Sequence, residues 1–185
     1  MKKLIPILVF LAIVGFISQA EAATDDTCGM SVTVSVGVSL TVTDEPLEFT
    51  PDVPAGNSAV SDSGCTVTNN GTALNDYRLA VTATPSAWTT VSAAPGWNEI
   101  RLLALFTSNT ALITGDFAEA NDIVAGSQAT ATADIYAISA EGASVKGYDC
   151  TQNAVRKLWF RFDAPSGTDV LTKQWITVTV YAIQG

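Results

Sequence analysis

The 185-residue chain contains no histidine. That removes the usual partner of a nucleophilic Ser or Cys, the imidazole metal ligand and the commonest general base. Its three cysteines, Cys28, Cys65 and Cys150, are too far apart in sequence to form a zinc site. Neither a phosphate-binding glycine loop nor a dinucleotide fingerprint occurs. A carboxylate pair could hydrolyse a glycoside, but the acidic residues are scattered and no pair stands out by spacing. Asp116, Glu119 and Asp122, in GDFAEAND, offer oxygen ligands at a density that could hold calcium. Their spacing is not that of an EF-hand loop, and a solvated acidic loop is the plainer account. Trp88, Trp97, Trp159 and Trp175 could form a platform for sugar stacking, although packing in and around a core is the commoner use of Trp. Trp159 is expected on an exposed strand face between Lys157 and Arg161, as a subunit contact or a ligand site. The chemistry-bearing residues thus point away from an enzyme, with no catalytic, cofactor or metal residue assigned.

The ends of the chain bound the rest. Met1-Lys2-Lys3 is a basic start, Leu4 to Ile17 an uncharged and mostly apolar run, and Ala20-Glu21-Ala22 a small-residue cleavage signal. This is the pattern of a secretory signal peptide cut after Ala22. The mature chain is expected to carry no membrane span and to act outside the cell or at its surface. The sequence holds 9 basic and 18 acidic residues. Losing Lys2, Lys3 and Glu21 makes the balance more negative, which argues against nucleic acid or an anionic membrane as partner. In an oxidising compartment three cysteines imply one bridge and one leftover thiol, or an intermolecular bridge. Cys65 and Cys150 both fall inside the domain and are expected to pair. Cys28 is left as the unpaired or intermolecular thiol, a buried free thiol being the alternative.

The elements that position these residues are strands. In MSVTVSVGVSLTVT (residues 30–43) Met30, Val32, Val34, Val36, Val38, Leu40 and Val42 alternate with Ser, Thr or Gly. Period-2 alternation gives a β-strand one buried and one polar face. At roughly 3.3 Å per residue the stretch spans about 46 Å, against about 17–20 Å for an ordinary strand. It has no charge and no proline, the usual guards of an edge strand. Either it bends at Gly37 and serves two sheets, or part of it belongs to a neighbouring molecule.

Further on, Ser63 to Asn69, Asp76 to Thr84, Trp88 to Ser92, Gln128 to Ile138, Val155 to Phe162 and Gln174 to Ile183 read as strands. Glu99 to Phe106 is apolar on both faces, as a central strand would be, with a short helix as alternative. Asn70-Gly71 is a hairpin signal for a type I′ turn, and Asn70-Gly71-Thr72 also forms a glycosylation triplet. Eight to ten short strands without a convincing long helix predict an all-β fold. Its architecture is an antiparallel β-sandwich, Ig-like or jelly-roll, over residues 44–185, preceded by an N-terminal arm at 23–43.

An alternating strand after a signal peptide, followed by an all-β body, resembles fibre subunits that polymerise by donor-strand exchange. The nearest likeness is to archaic, spore-coat-U-type pilins. It rests on VTVSVGVSLTV, on GCTVTNNGTALNDYRLAV (64–81), on QATATADIYAI (128–138) and on the terminal ITVTVYAI. TasA/camelysin-like biofilm fibre subunits share the general plan. The pilin pattern is departed from in one respect: Cys28 precedes the alternating stretch instead of following it. The resemblance implies a homopolymer in which each subunit's arm completes its neighbour's sandwich. Met30, Val32, Val34, Val36 and Val38 would be the donated row, and Leu40 and Val42 part of the subunit's own first strand. The competing reading is a monomeric secreted binding module for polysaccharide or another surface ligand, with the long strand bent within one domain.

Overall fold

The computed structural model describes residues 37–170 and 172–185. Strands account for its regular structure: β1 (Leu40–Thr43), β2 (Ser58–Val60), β3 (Cys65–Asn69), β4 (Asn75–Ala83), β5 (Thr89–Thr90), β6 (Glu99–Phe106), β7 (Ala129–Thr130), β8 (Val155–Asp163) and β9 (Thr177–Gln184). Among the described residues the helical content is one 3-10 turn at Thr114–Asp116, and no helix is long and apolar enough to cross a membrane. The expected cut after Ala22, Cys28, and Met30, Val32, Val34 and Val36 lie outside the described residues.

Two sheets stack as a β-sandwich. The larger runs β1-β3-β8-β6-β5, and β2 joins the same edge of β8 as β3, farther along. The smaller runs β7-β4-β9. All pairs are antiparallel except the two-residue pairing of β5 with β6. Alternation in the sequence sets which side chains enter the interior. Tyr77, Leu79 and Val81 of β4 face Ile100, Leu102, Ala104 and Phe106 of β6 and Leu158 and Phe162 of β8 in one core cluster.

β6 is buried along seven of its eight residues because the larger sheet is covered on its outer face too. There Leu103, Leu105, Phe117 and Trp159 form a second cluster, with Leu112, Ile123 and Ile138 packed against it. Residues 107–123, a loop by composition, supply much of that cover. Their cover is fixed by charge: Arg101 Nε lies 2.6 Å from Asp163 Oδ2, Arg161 Nε lies 2.7 Å from Asp163 Oδ1, and Arg101 Nη2 reaches Glu119 Oε1 at 2.8 Å.

Several expectations are corrected. Asn70-Gly71 does not make a type I′ hairpin: neither residue has positive φ, and the segment carries the chain from β3 in one sheet to β4 in the other. The alternating run 128–138 forms only the two residues of β7. Beyond Ala131, whose amide donates to Tyr77 O, the Thr132 hydroxyl accepts the amide hydrogens of Asp134 and Ile135 and turns the chain. Small Ala residues bury too little surface to hold a strand against that local turn. Trp159 is not exposed but 7% accessible, beneath the 107–123 cover.

Candidate functional site

One side of the interior is left open. Between the larger sheet and β9 lies a groove of about 1180 Å³. Its floor is the inner face of the larger sheet, with Val42 of β1, Cys65 of β3, Leu102 of β6, and Phe160 and Phe162 of β8. One wall is the segment after β1, where Leu47, Phe49 and Val53 are half-buried; the Phe49 ring lies 5.8 Å from that of Phe162. The opposite wall is the approach to β9 and its first half, from Thr172 to Val180. Ile176, Val178 and Val180 are apolar residues of this wall that stay only half-buried.

The groove follows from the unequal sheets. The smaller sheet ends at β9, which pairs with β4 on one side and has no strand partner on the other among the described residues. Thr177 to Gln184 carries no charge and no proline, so this edge has none of the usual protections against pairing with another chain. At the mouth the two walls meet: Lys173 Nζ lies 2.7 Å from Glu48 Oε2 and 4.8 Å from the ring centre of Trp175, which is 57% accessible.

Across the body from that mouth is the point where the arm joins. The Gly37 and Ser39 carbonyls each accept two amide hydrogens, Gly37 O from Thr72 and Ala73 and Ser39 O from Asn70 and Gly71, at 2.9–3.2 Å. The Gly37 amide donates to Thr72 Oγ1 at 2.9 Å. A Cβ on Gly71 would overlap the Gly37 carbonyl oxygen, so the glycine is there for close backbone approach. Behind it sit two fully buried asparagines. Asn69 Nδ2 donates to the Ala73 and Cys150 carbonyls, while Asn69 Oδ1 accepts from the Gly71 amide and from Asn75 Nδ2. The sequence places Asn69 at the end of a strand and gives no signal for Asn75. Their role as a buried knot depends on β3 and β4 lying in different sheets, which no local pattern signals.

The expected site residues fare differently. Cys65 and Cys150 form no bridge with each other; among the described residues both are buried free thiols. Cys65 lies opposite Leu158, whereas Cys150 lies beside Asn75 and Asn69, four residues farther along β3. Four residues of strand are roughly 13 Å, beyond the ~7 Å Cα limit of a disulfide. Burial, and secondarily the nearby Glu45 charge, pushes the Cys65 thiol up to about 12, so it lines the groove as an unreactive small apolar group. Val38 is 42% accessible, beside the clamp rather than in the interior.

The three acids of the calcium candidate diverge. Asp116 accepts the Ile113 amide, Glu119 pairs with Arg101 and Arg161, and Asp122 accepts the Ala118 amide at 2.6 Å from a buried position. Among the described residues no three acidic or thiol groups converge on a metal-sized site. No protein-family model and no curated protein matches the sequence.

Proposed function

We propose that the protein is the structural subunit of an extracellular filament, assembled head to tail by donation of its N-terminal strand to the groove of a neighbouring copy. The observation that carries this reading is the groove itself, a cleft with an apolar floor and charged groups among its walls, beside an unguarded sheet edge. An extended segment that adds to such an edge gains a ladder of backbone hydrogen bonds and places alternate side chains in the cleft. The chain carries a segment of matching character at residues 30–36. Each Val or Met buried there contributes about 1.5–3 kcal/mol before ordering costs. Contacts of this heterologous kind do not pair off and build open filaments. Adhesion, biofilm scaffolding and surface coating are the roles such a filament serves, and the likeness to donor-strand pilins points the same way.

A second reading has one observation in its favour. Trp175, exposed at the mouth with Lys173 over its ring, would suit a polysaccharide or other surface ligand bound by a monomer. The mature protein separates the two. Filaments in negative-stain micrographs, and their loss with retention of the β-sheet circular dichroism signal on deletion of residues 23–34, are the expected result. A stable monomer in gentle buffer, with or without those residues, would sink the filament.

A further inference from the structure

Resting on the filament reading, the geometry points to a particular seating of the donor: antiparallel to β9 of the next subunit, with Met30 beside Val180, Val32 beside Val178 and Val34 beside Ile176. Three observations lead there.

The first is that the arm's root and the groove's mouth lie at opposite ends of the sandwich. Gly37 is bonded to Thr72 and Ala73, and the next residue, Leu74, accepts the Gly185 amide, so the root sits where β9 finishes. The mouth, with Lys173 and Trp175, sits where β9 begins. Thr177 to Gln184 separates the two by roughly 25 Å at 3.3 Å per residue. An arm leaving the far end of one subunit therefore enters the mouth of the next. It goes in with its N-terminus leading, so its chain direction opposes that of β9.

The second is length. The wall runs from Thr172 to Val180, but Lys173, bonded to Glu48 and lying over Trp175, closes its outer end, so the stretch inside the mouth is Ile176 to Val180. Beyond Val180 the subunit's own Leu40 and Val42 pack on the core, and β1 comes close to β9. Five residues of wall accept three alternate side chains, not the five of the full row 30–38.

The third decides which three. Val38 lies inside the clamp region and is exposed, and Val36 adjoins Gly37, whose backbone is tied to its own body. A few residues must cross the joint before the donor reaches the neighbour. Met30, Val32 and Val34 are thus the inserted row, and Val36 spans the joint.

Cysteine pairs in the full mature chain, on a Cys28→Ser background, test the seating. Ser31→Cys with Thr179→Cys places two outward residues opposite each other, within disulfide reach. Oxidation should link neighbouring subunits into a ladder on non-reducing gels. Ser31→Cys with Thr177→Cys should not link, since that pair is two residues out of register; strong linking there instead would mean a parallel donor and overturn the proposal. Single substitutions add an independent readout. Val32→Asp and Val34→Asp should lower polymer yield at least ~100-fold, because an unpaired charge would enter the cleft over its apolar floor. Val38→Asp should change it by less than about 3-fold. Circular dichroism and melting of each variant show that the body is folded. The reverse ranking, Val38→Asp disabling and Val32→Asp harmless, overturns the seating while leaving the filament. Unsubstituted protein that never polymerises overturns both.

Discussion

Asp122 is 1% accessible, and its Oδ1 has no hydrogen-bond partner among the described residues. Burial pushes its carboxyl up to about 6, with the Ala118 amide partly holding it down. A carboxyl raised on folding contributes stability that is complete below its ordinary value near 3.8 and is lost as pH climbs through about 6. The protein should therefore lose stability between about pH 3.8 and pH 6 through this group, by up to about 3 kcal/mol. Asp122→Asn should flatten that slope in urea titrations at several pH values; an unchanged slope would show that the residue ionises freely in the fold. Asp163 works in the opposite sense. Its burial is outweighed by hydrogen bonds from Ser58, Arg101 and Arg161, which hold its carboxyl below the usual value, so its contribution is lost as pH falls. The thiols allow a simpler check. With Cys65 and Cys150 unbridged, a reductant should leave the melting temperature of the body unchanged; a clear fall would mean that a bridge does form.

At the scale of elements, the outer cover of the larger sheet depends on one carboxylate. Asp163 faces both Arg101 and Arg161, and all three are largely shielded from water. Asp163→Ala would leave two guanidiniums short of a partner in a shielded place, a loss of about 3–5 kcal/mol. It should also loosen residues 107–123, which Glu119 ties to the same arginines. Melting, together with limited proteolysis focused on that segment, would check both effects. The same cover explains how Trp159 was misread. From β8 alone, Lys157, Trp159 and Arg161 share an outward face, but Leu103 and Leu105 of the paired β6 make that face apolar and it needs a lid. Strong period-2 runs with large side chains, such as Tyr77-Leu79-Val81 and Leu158-Phe160-Phe162, were legible because they alone could fill a sandwich. The Ala-rich run 128–138 has the same period but little surface to bury, and its Thr132 turn prevailed. Period signals which face goes inward; it does not report whether burial is large enough to keep the strand.

For the whole molecule, the sandwich class was legible from strand spacing and turn residues, while the inequality of its two sheets was not. A sequence of strands does not say which edge is left without a neighbour, and the groove is a product of that assignment. The cysteine pairing failed for a related reason. Both residues lie in the domain, but their separation along the strand axis depends on β3 and β4 belonging to different sheets. What the sequence did carry was the character of the arm, an apolar row matched in kind to the cleft. In the proposed seating the groove would take three side chains of the expected row of five.

The clamp at Gly37 has a mechanical consequence. If a filament is pulled, the load enters each body through Gly37, directed along the strand axis. It then passes into β1, whose four residues lie antiparallel to β3. Force along a ladder stretches its hydrogen bonds together, in shear, whereas force across an edge would peel them apart one by one. The bonds from residues 70–73 and the buried Asn69–Asn75 pair keep the entry point from lifting off that line. Tension would therefore be resisted by the whole first strand at once, and the turn that joins the two sheets would act as the buckle.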